Sequence, residues 1–548
     1  MTTIRRRTAL ALMGSGASLA LPAIADAAPS QESGVAAFAH GVASGDPAAD
    51  GAVLWTRAAP AGGAGDVALE WHVAPGPDAK PLRSGKVVAR AAADHTAKVE
   101  VTGLKPGRDY HYWFTAGGSR SPVGRFRTLP VGAADRVVLA AVSCQLYPGG
   151  LFNAYADIAA LDRLDAVVHL GDYIYEYGAE GYGADVGRKL DRLPDPPHEI
   201  VTLADYRRRH AQVKADPDMQ AAHARAAFIC VWDDHEVAND GWIGGAENHD
   251  PATEGDWAAR KAAAMQAYFE YMPIRESRRG LGREAIFRSF EFGDLATLAM
   301  VETRLLARSK QVAFKGDAPS ANDYAAALAE RARPDREMLG PKQQQWLEGV
   351  LAASVKAGKP WQVLGNQVVM ARVAGPDLDK ALGPERLAAL PAPFGARIRR
   401  TQESYRAGLP FNLDAWDGYP PARQRLYASF AKAGTRPIVL SGDSHAAWTN
   451  DLYDDAGRLA ANEVGATAIT SPSYGSILPG LGPILADANK EVAFCDQDSK
   501  GYALLTLTPD AAVAEHVAVS SVLVKPFTRR VTARHRIAAG AAAPWQAT

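Results

Sequence analysis

The sequence predicts an α/β domain that carries its chemistry at strand ends, preceded by an all-β sandwich. Three observations lead there. Between about residues 35 and 130, the runs VLWTR, ALEWHV, KVEVTG, DYHYWFTA and GRFRTL alternate with period two between Gly, Pro and Asp turns, the grammar of a fibronectin- or Ig-like sandwich. From about residue 136, strand-like runs alternate with helical stretches, which indicates an α/β arrangement. Four of those runs end in metal-binding or acid–base side chains: VVLAAVSCQ at Cys144, AVVHLGDYIY at Asp172 and Tyr175, AFICVWDDHE at Asp234 and His235, and RPIVLSGDSH at Asp443 and His445. One such end is commonly a helix cap. Four ends offering thiol, phenol, carboxylate and imidazole favour a shared site at the mouth of a sheet.

The first 28 residues read as an export segment. Arg5, Arg6 and Arg7 precede an uncharged stretch from Thr8 to Ala25 and the small-residue pattern Ala25-Asp26-Ala27, similar to a cleaved twin-arginine signal. The stretch approaches the ~20 residues of a membrane span, but Gly14, Gly16 and Pro22 make it a poor helix, and no later segment is apolar enough to span. The expectation is a periplasmic or secreted protein handled by the twin-arginine machinery, with a metal loaded before export. Lys and Arg total 60 against 61 Asp and Glu, so no net field points to nucleic acid or to a basic membrane-binding surface.

Within the β module, Tyr110, Tyr112, Trp113 and Phe114 read as core aromatics. LPVGAAD forms a linker. Helices are expected over LFNAYADIAALDRL, from about Thr253 to Pro273 with TEGD as a capping box, and from Pro341 to Gly358 with Trp346, Leu347, Val350, Leu351 and Val355 on one face. The long intervals from Glu176 to Ala226 and Asp379 to Gly434 suggest lids or substrate walls. In the first, Arg207, Arg208 and Arg209 present either an anion site or a solvated face. The tail 526–548 alternates basic and apolar residues, turns Ala-rich, and is expected to pair once and then fray.

Three cysteines form no disulfide framework. Cys230 reads as a buried hydrophobe. Cys144 reads as a site thiolate, with a buried thiol or a Cys144–Cys230 disulfide as alternatives.

Asp172 and Tyr175 lie three apart, so the chain must turn after Asp172 for both to face one ion, and Gly171 permits that turn. A phenolate ligand needs a strongly Lewis-acidic ion such as ferric iron. Adjacent Asp234 and His235 diverge, one to a second ion and the other to proton donation. Asp443 and His445 share one face of an extended strand. The donors divide into an iron-type site and an oxygen-rich site suited to calcium, manganese or zinc.

SCQ, HLGDYIYEYG, WDDHEVAND, LGNQV and SGDSH, in that order, resemble the alkaline phosphatase D family of metallophosphoesterases, related to purple acid phosphatases. FAHGVASGDP, VLWTR and DAWDGYPPAR extend the resemblance over nearly the whole mature chain. It implies a metallophosphoesterase fold, a layered β-sheet sandwich flanked by helices, over residues 136–525, after a β-sandwich at 35–130. It implies Fe3+ at Cys144, Asp172, Tyr175 and His445 with Asp172 bridging, Ca2+ at Asp234 and Asp443 with Zn2+ or Mn2+ as alternatives there, and His235 over the phosphate. Asn239, Asn366 and Gln367 fall in matching motifs as contacts to metal, water or substrate. One departure is VETRLLAR, with Glu302 where the family usually shows Asp. The implied activity is hydrolysis of a phosphoester by a metal-activated hydroxide, as an alkaline phosphatase or phosphodiesterase. The alternatives are a phospholipase D-like diesterase and a secreted, non-catalytic binding protein.

Overall fold

The computed structural model describes residues 37–548 except 61, 63, 278–281, 314–318 and 390–391. The proposed signal at 1–28 lies outside the described residues. Two large sheets carry the site. The first runs, in spatial order, Gln546–Ala547, Arg529–Ala538, Ala511–Val519, Lys500–Leu507, Val137–Val142, Ala166–His169, Phe228–Cys230, Val42–Ala48, Gly51–Arg57 and Thr96–Val101. The second runs Arg288–Phe292, Ala296–Met300, Trp361–Gly365, Ile438–Ser441, Leu459–Gly465, Ala447–Tyr453 and Val492–Asp496.

Each sheet has a parallel centre. Val137–Val142, Ala166–His169 and Phe228–Cys230 pair in parallel in the first, as do Ala296–Met300, Trp361–Gly365 and Ile438–Ser441 in the second. Their near-continuous apolar character fits burial on both faces. Along Ile438–Ser441, Ile438 and Leu440 join the core shared with the first sheet, whereas Val439 joins the core beneath the helices Gly340–Lys356 and Pro420–Ala433. That period-two division makes the domain a layered sandwich with helices outside. A parallel bridge between Ser143 and Ala468 joins the sheets beside the strand ends.

The β module does not keep its strands to itself. Arg83–Ala89, Val67–Ala74, Asp109–Ala116, Ser119–Arg120 and Gly124–Arg127 form a separate five-stranded sheet. Val42–Ala48, Gly51–Arg57 and Thr96–Val101 instead extend the first large sheet, joined to it where Gly45 pairs with Phe228. Leu54, Leu69, Tyr112, Phe114 and Phe126 fill the core between the module's two layers. The alternation correctly located these strands, but a non-local pairing decides which sheet each one joins.

Several local expectations are corrected. Helix Trp257–Tyr271 is capped by Asp256, whose carboxylate accepts from Ala259 N, and Asp250 caps the separate short helix Pro251–Glu254, so TEGD is no capping box. Gly255 at φ 83° is what divides the two helices. The tail does not fray. Arg529–Ala538 pairs with Ala511–Val519, Gln546–Ala547 returns onto it, and Trp545 is buried with its backbone N–H donating to Asp451. Arg207 pairs with Glu270, Arg208 with Asp195, and buried Arg209 donates to the carbonyls of Tyr175, Tyr177 and Pro196, so none of the three is offered to an anion.

His210 and His516 are buried, and burial pushes their pKa values down to about 3. An unfolded histidine titrates near ~6.5, so below that pH the unfolded chain takes up protons that the fold refuses. Stability is therefore complete above about pH 6.5 and falls toward pH 3, by up to ~1.4 kcal/mol per pH unit for each group. Urea midpoints should drop between pH 7 and 5, and His516→Phe should flatten that slope; parallel slopes for the variant and the parent would remove His516 from the account.

Candidate metal centre

The carboxyl ends of six parallel strands from two sheets converge on one acidic pocket. Gly171 adopts φ 111°, and a Cβ there would stand 2.3 Å from Asp233 N, so only glycine lets the turn after Ala166–His169 cross the turn after Phe228–Cys230. Buried Glu236 pins the crossing, accepting from the backbone N–H groups of Asp172, Tyr173 and Asp233. Cys144, Asp172, Asp443 and His445 all sit at left-handed φ between 58° and 61°. For non-glycine residues that conformation costs about 1–3 kcal/mol each, and it turns each side chain out of its strand direction toward the pocket.

Three groups of donor atoms each fall within 4.8 Å: Cys144, Asp172 and His445; Asp172, Asp234 and His235; and Asp233, Asp234 and Asp443. Asp172 and Asp234 are shared between neighbouring groups. The Tyr175 hydroxyl joins the first group, 2.9 Å from Asp172 Oδ2, 2.7 Å from Ser471 Oγ and 3.4 Å from His445 Nε2. His445 Nδ1 donates to Pro472 O at 2.7 Å, which leaves Nε2 with a lone pair facing the centre. Burial lowers its pKa to about 3, which keeps it neutral. Thus Cys144, Asp172, Tyr175 and His445 are brought together, and so are Asp234, His235 and Asp443.

His235 is held differently from a plain ligand. Its Nδ1 lies 2.7 Å from Glu176 Oε2, and its ring packs on Tyr175 and Tyr177 with centroids 4.2 and 5.4 Å away. Burial works against its charge, but Glu176, Asp234 and Asp172 outweigh burial and hold its pKa well above the usual histidine range. Glu176 in turn accepts from Asn239 N and Asn248 Nδ2.

Burial pushes the Cys144 thiol, the Tyr175 phenol and the Asp172 and Asp443 carboxyls well above their ordinary values, with neighbouring carboxylates adding to the rise. Arg304 is the principal internal counter-charge. Fully buried, it donates to Asp233, to Asp414 at 2.6 Å and to Asp443 at 2.8 Å, with Asp234 at 3.8 Å. Burial alone would raise the Asp234 pKa; Arg304 and His235 bring it below the ordinary carboxylate range. Asp172 Oδ1 and Asp233 Oδ2 are buried with no hydrogen-bond partner. Orphaned carboxylate oxygens beside a thiol and an imidazole lone pair fit cations better than they fit the surrounding protein.

The remaining motif residues are engaged with the framework. Asn366 bonds Val368 O and Trp416 Nε1, and Gln367 bonds Thr303 Oγ1 and Val301 O. The half-buried Asn239 side chain donates to Glu247. Glu302 accepts from Trp232 Nε1 and from the N–H groups of Arg304, Leu305 and Leu306, so it shapes the loop that aims Arg304 and joins no ligand group. All three cysteines are free and buried. The residues missed by sequence reasoning are Asp233, Glu176, Arg304 and Asp414. All four sat inside motifs already singled out, but Arg304 and Asp414 show their role only through long-range ion pairs.

A family profile described as PhoD-like phosphatase matches residues 139–516, and one described as its N-terminal domain matches residues 23–130. Alkaline phosphatase D of Bacillus subtilis (strain 168) is 34% identical over 495 residues, covering 87% of this chain and 77% of that protein. A solved structure described as that of PhoD superposes with a TM-score of 0.77 at 31% identity, covering 95% of this chain and 93% of the other.

Removing the guanidinium would leave buried carboxylates uncompensated, a change that typically costs about 3–5 kcal/mol. Arg304→Met should lose that much stability in chelator-treated protein, read from urea denaturation. A loss under about 1 kcal/mol would mean that protonation already neutralises the pocket.

Proposed function

The chain belongs to the PhoD-like phosphatase family and is a phosphoester hydrolase; from that premise we propose that it is an exported alkaline phosphatase or phosphodiesterase working at a multinuclear metal centre. The observation that carries the metal reading is the overlap of three donor groups through Asp172 and Asp234, each group within 4.8 Å. Cys144, Asp172, Tyr175 and His445 would hold Fe3+, because phenolate and thiolate donation suit a strongly Lewis-acidic ion. Asp234 and Asp443, with Asp172 shared between two donor groups and Asp233 alongside, would hold Ca2+, for which Zn2+ or Mn2+ are the alternatives. When bound, these cations supply Lewis acidity that generates a nucleophile from water at neutral pH and screens charge on the phosphoryl oxygens.

The protein's own groups do the rest. Glu176 fixes His235 through Nδ1, leaving Nε2 to protonate the departing ester oxygen. Tyr175 and Tyr177 pack against the ring and limit its rotation. Arg304 is spent on carboxylates, so it orients the acidic donors and is not offered to a phosphate. The periplasmic or secreted location rests on Arg5, Arg6 and the small-residue cleavage pattern. Among the described residues no helix is long and apolar enough to cross a membrane.

His235→Asn should lower kcat by about 10²–10⁴ for alkyl esters, whose leaving groups need a proton, and much less for 4-nitrophenyl esters. Equal losses on both would remove His235 as the acid. The purified native enzyme should contain iron and show a visible charge-transfer band that Tyr175→Phe abolishes. A colourless, fully active protein holding zinc alone would refute the iron assignment.

A further inference from the structure

Beside the metal centre lies a cleft of about 270 Å³ with no charged side chain in its lining. One wall comes from the insertion that the sequence marked as a long excursion. Ile398 and Tyr405 project from helix Ala392–Arg406, Phe411 follows that helix, and Tyr474, Ile477 and Leu481 close the other side. Phe411 meets Tyr474 edge-on with centroids 5.6 Å apart and lies near-parallel to Tyr405 at 6.3 Å. Tyr474 is 50% exposed and Ile477 43%, so this apolar surface faces water. Ile398 and Leu481 beneath them are buried.

Both walls are continuous with the centre. Ser471 Oγ lies 2.7 Å from the Tyr175 hydroxyl, and Pro472 O accepts from His445 Nδ1 and Tyr182 OH. Tyr474 is two residues further on, its Cα within about 7.6 Å of the Pro472 Cα. Opposite, Leu413 lines the cleft and precedes Asp414, which takes Arg304 and Arg308. Both walls of the cleft therefore continue directly into segments that contact the donor groups.

Resting on the phosphoester hydrolase reading, we propose that this cleft binds the aliphatic arm of the substrate, so that the preferred substrate is a phosphodiester whose retained ester group is an unbranched apolar chain. The phosphoryl group would sit at the donor groups around Asp172 and Asp234, and the chain would lie along Phe411, Tyr474 and Ile477. Exposed apolar surface of this kind gains by covering, and a methylene moved from water into it contributes about fourfold in affinity, the equivalent of ~0.8 kcal/mol. A charged arm would find no side chain of opposite charge in this lining.

The test is a series of 4-nitrophenyl alkyl phosphates from methyl to octyl, each kept below its micelle concentration, with the metal-loaded enzyme. Water adds to phosphorus, 4-nitrophenolate leaves, and the alkyl phosphate is the second product, so only the retained arm varies. kcat/KM should rise about fourfold per methylene over the first several carbons, and Ile477→Asp should cut the octyl-to-methyl ratio at least tenfold. Alkylphosphonates should show the same chain-length trend as competitive inhibitors of the wild-type protein, which keeps the inference testable if the variant misfolds. Turnover with an octyl-to-methyl ratio near one overturns the cleft assignment alone, whether or not a second copy covers the cleft in solution. Cleavage of 4-nitrophenyl phosphate with no turnover of any diester overturns this inference alone, and no turnover of the monoester or any diester overturns the hydrolase reading with it. Long-chain preference seen only above the micelle concentration, and absent for monomeric esters, assigns the effect to the aggregate surface and overturns the cleft.

Discussion

A deficit of positive charge in one buried pocket is the constraint on which the rest of this structure depends. Asp172, Asp233, Asp234, Asp414, Asp443 and Glu176 converge there, and the cations facing them are Arg304, Arg308 and His235. Carboxylates in a low-dielectric interior cannot all stay ionised without further positive charge. Burial and the neighbouring carboxylates raise the pKa values of Asp172 and Asp443, which expresses that demand as a raised affinity for protons. Cations that bind in their place also stabilise the fold, because an unfolded chain presents no such site. The left-handed backbone at Cys144, Asp172, Asp443 and His445 is held against its own preference, and ligation of these side chains would offset that strain.

The same constraint explains the crowding of irreplaceable geometry near Gly171. Strand ends from two sheets approach closely enough for a backbone bridge between Ser143 and Ala468, and Glu236 locks the turn after Ala166–His169 to the turn after Phe228–Cys230. The second of those strands is flanked by Val42–Ala48 of the β module, so the module buttresses the strand that delivers Asp233, Asp234 and His235. Asp46 reinforces the junction by taking Arg288, which also donates to Cys230 O. The module supplies no donor to the three ligand groups; its contribution is to hold a strand in register.

Much of this was legible in the chain itself. Strand ends are local features: an apolar run followed by Gly-Asp or Asp-His states both the element and its terminus, and the turn at Gly171 followed from the three-residue spacing of Asp172 and Tyr175. What was hidden depends on distant partners. Nothing around Val42–Ala48 announces that it pairs with Phe228–Cys230. Arg304 looks like any motif arginine until Asp233, Asp414 and Asp443 are seen around it, and Glu302 looks like a lost ligand until its carboxylate is seen collecting the N–H groups of Arg304, Leu305 and Leu306. The tail misled for the same reason, since an Ala-rich terminus reads as loose unless Trp545 is known to reach a core.

Chemistry and selectivity are placed on chain segments of different character. The donors sit on turns fixed by parallel strands, where small displacements would be costly to a metal centre. The apolar cleft is built from an insertion between Trp361–Gly365 and Ile438–Ser441 and from the loop after Leu459–Gly465. Residues 471–474 belong to both: Ser471 and Pro472 orient Tyr175 and His445, and Tyr474 turns outward to the cleft. Lys500 ties this segment down, donating to Ser473 Oγ and to the carbonyl of His445. The Tyr474 side of the cleft and the Pro472 carbonyl that orients His445 therefore lie on one four-residue segment, so a substitution that reshapes the cleft there also bears on the alignment of that donor.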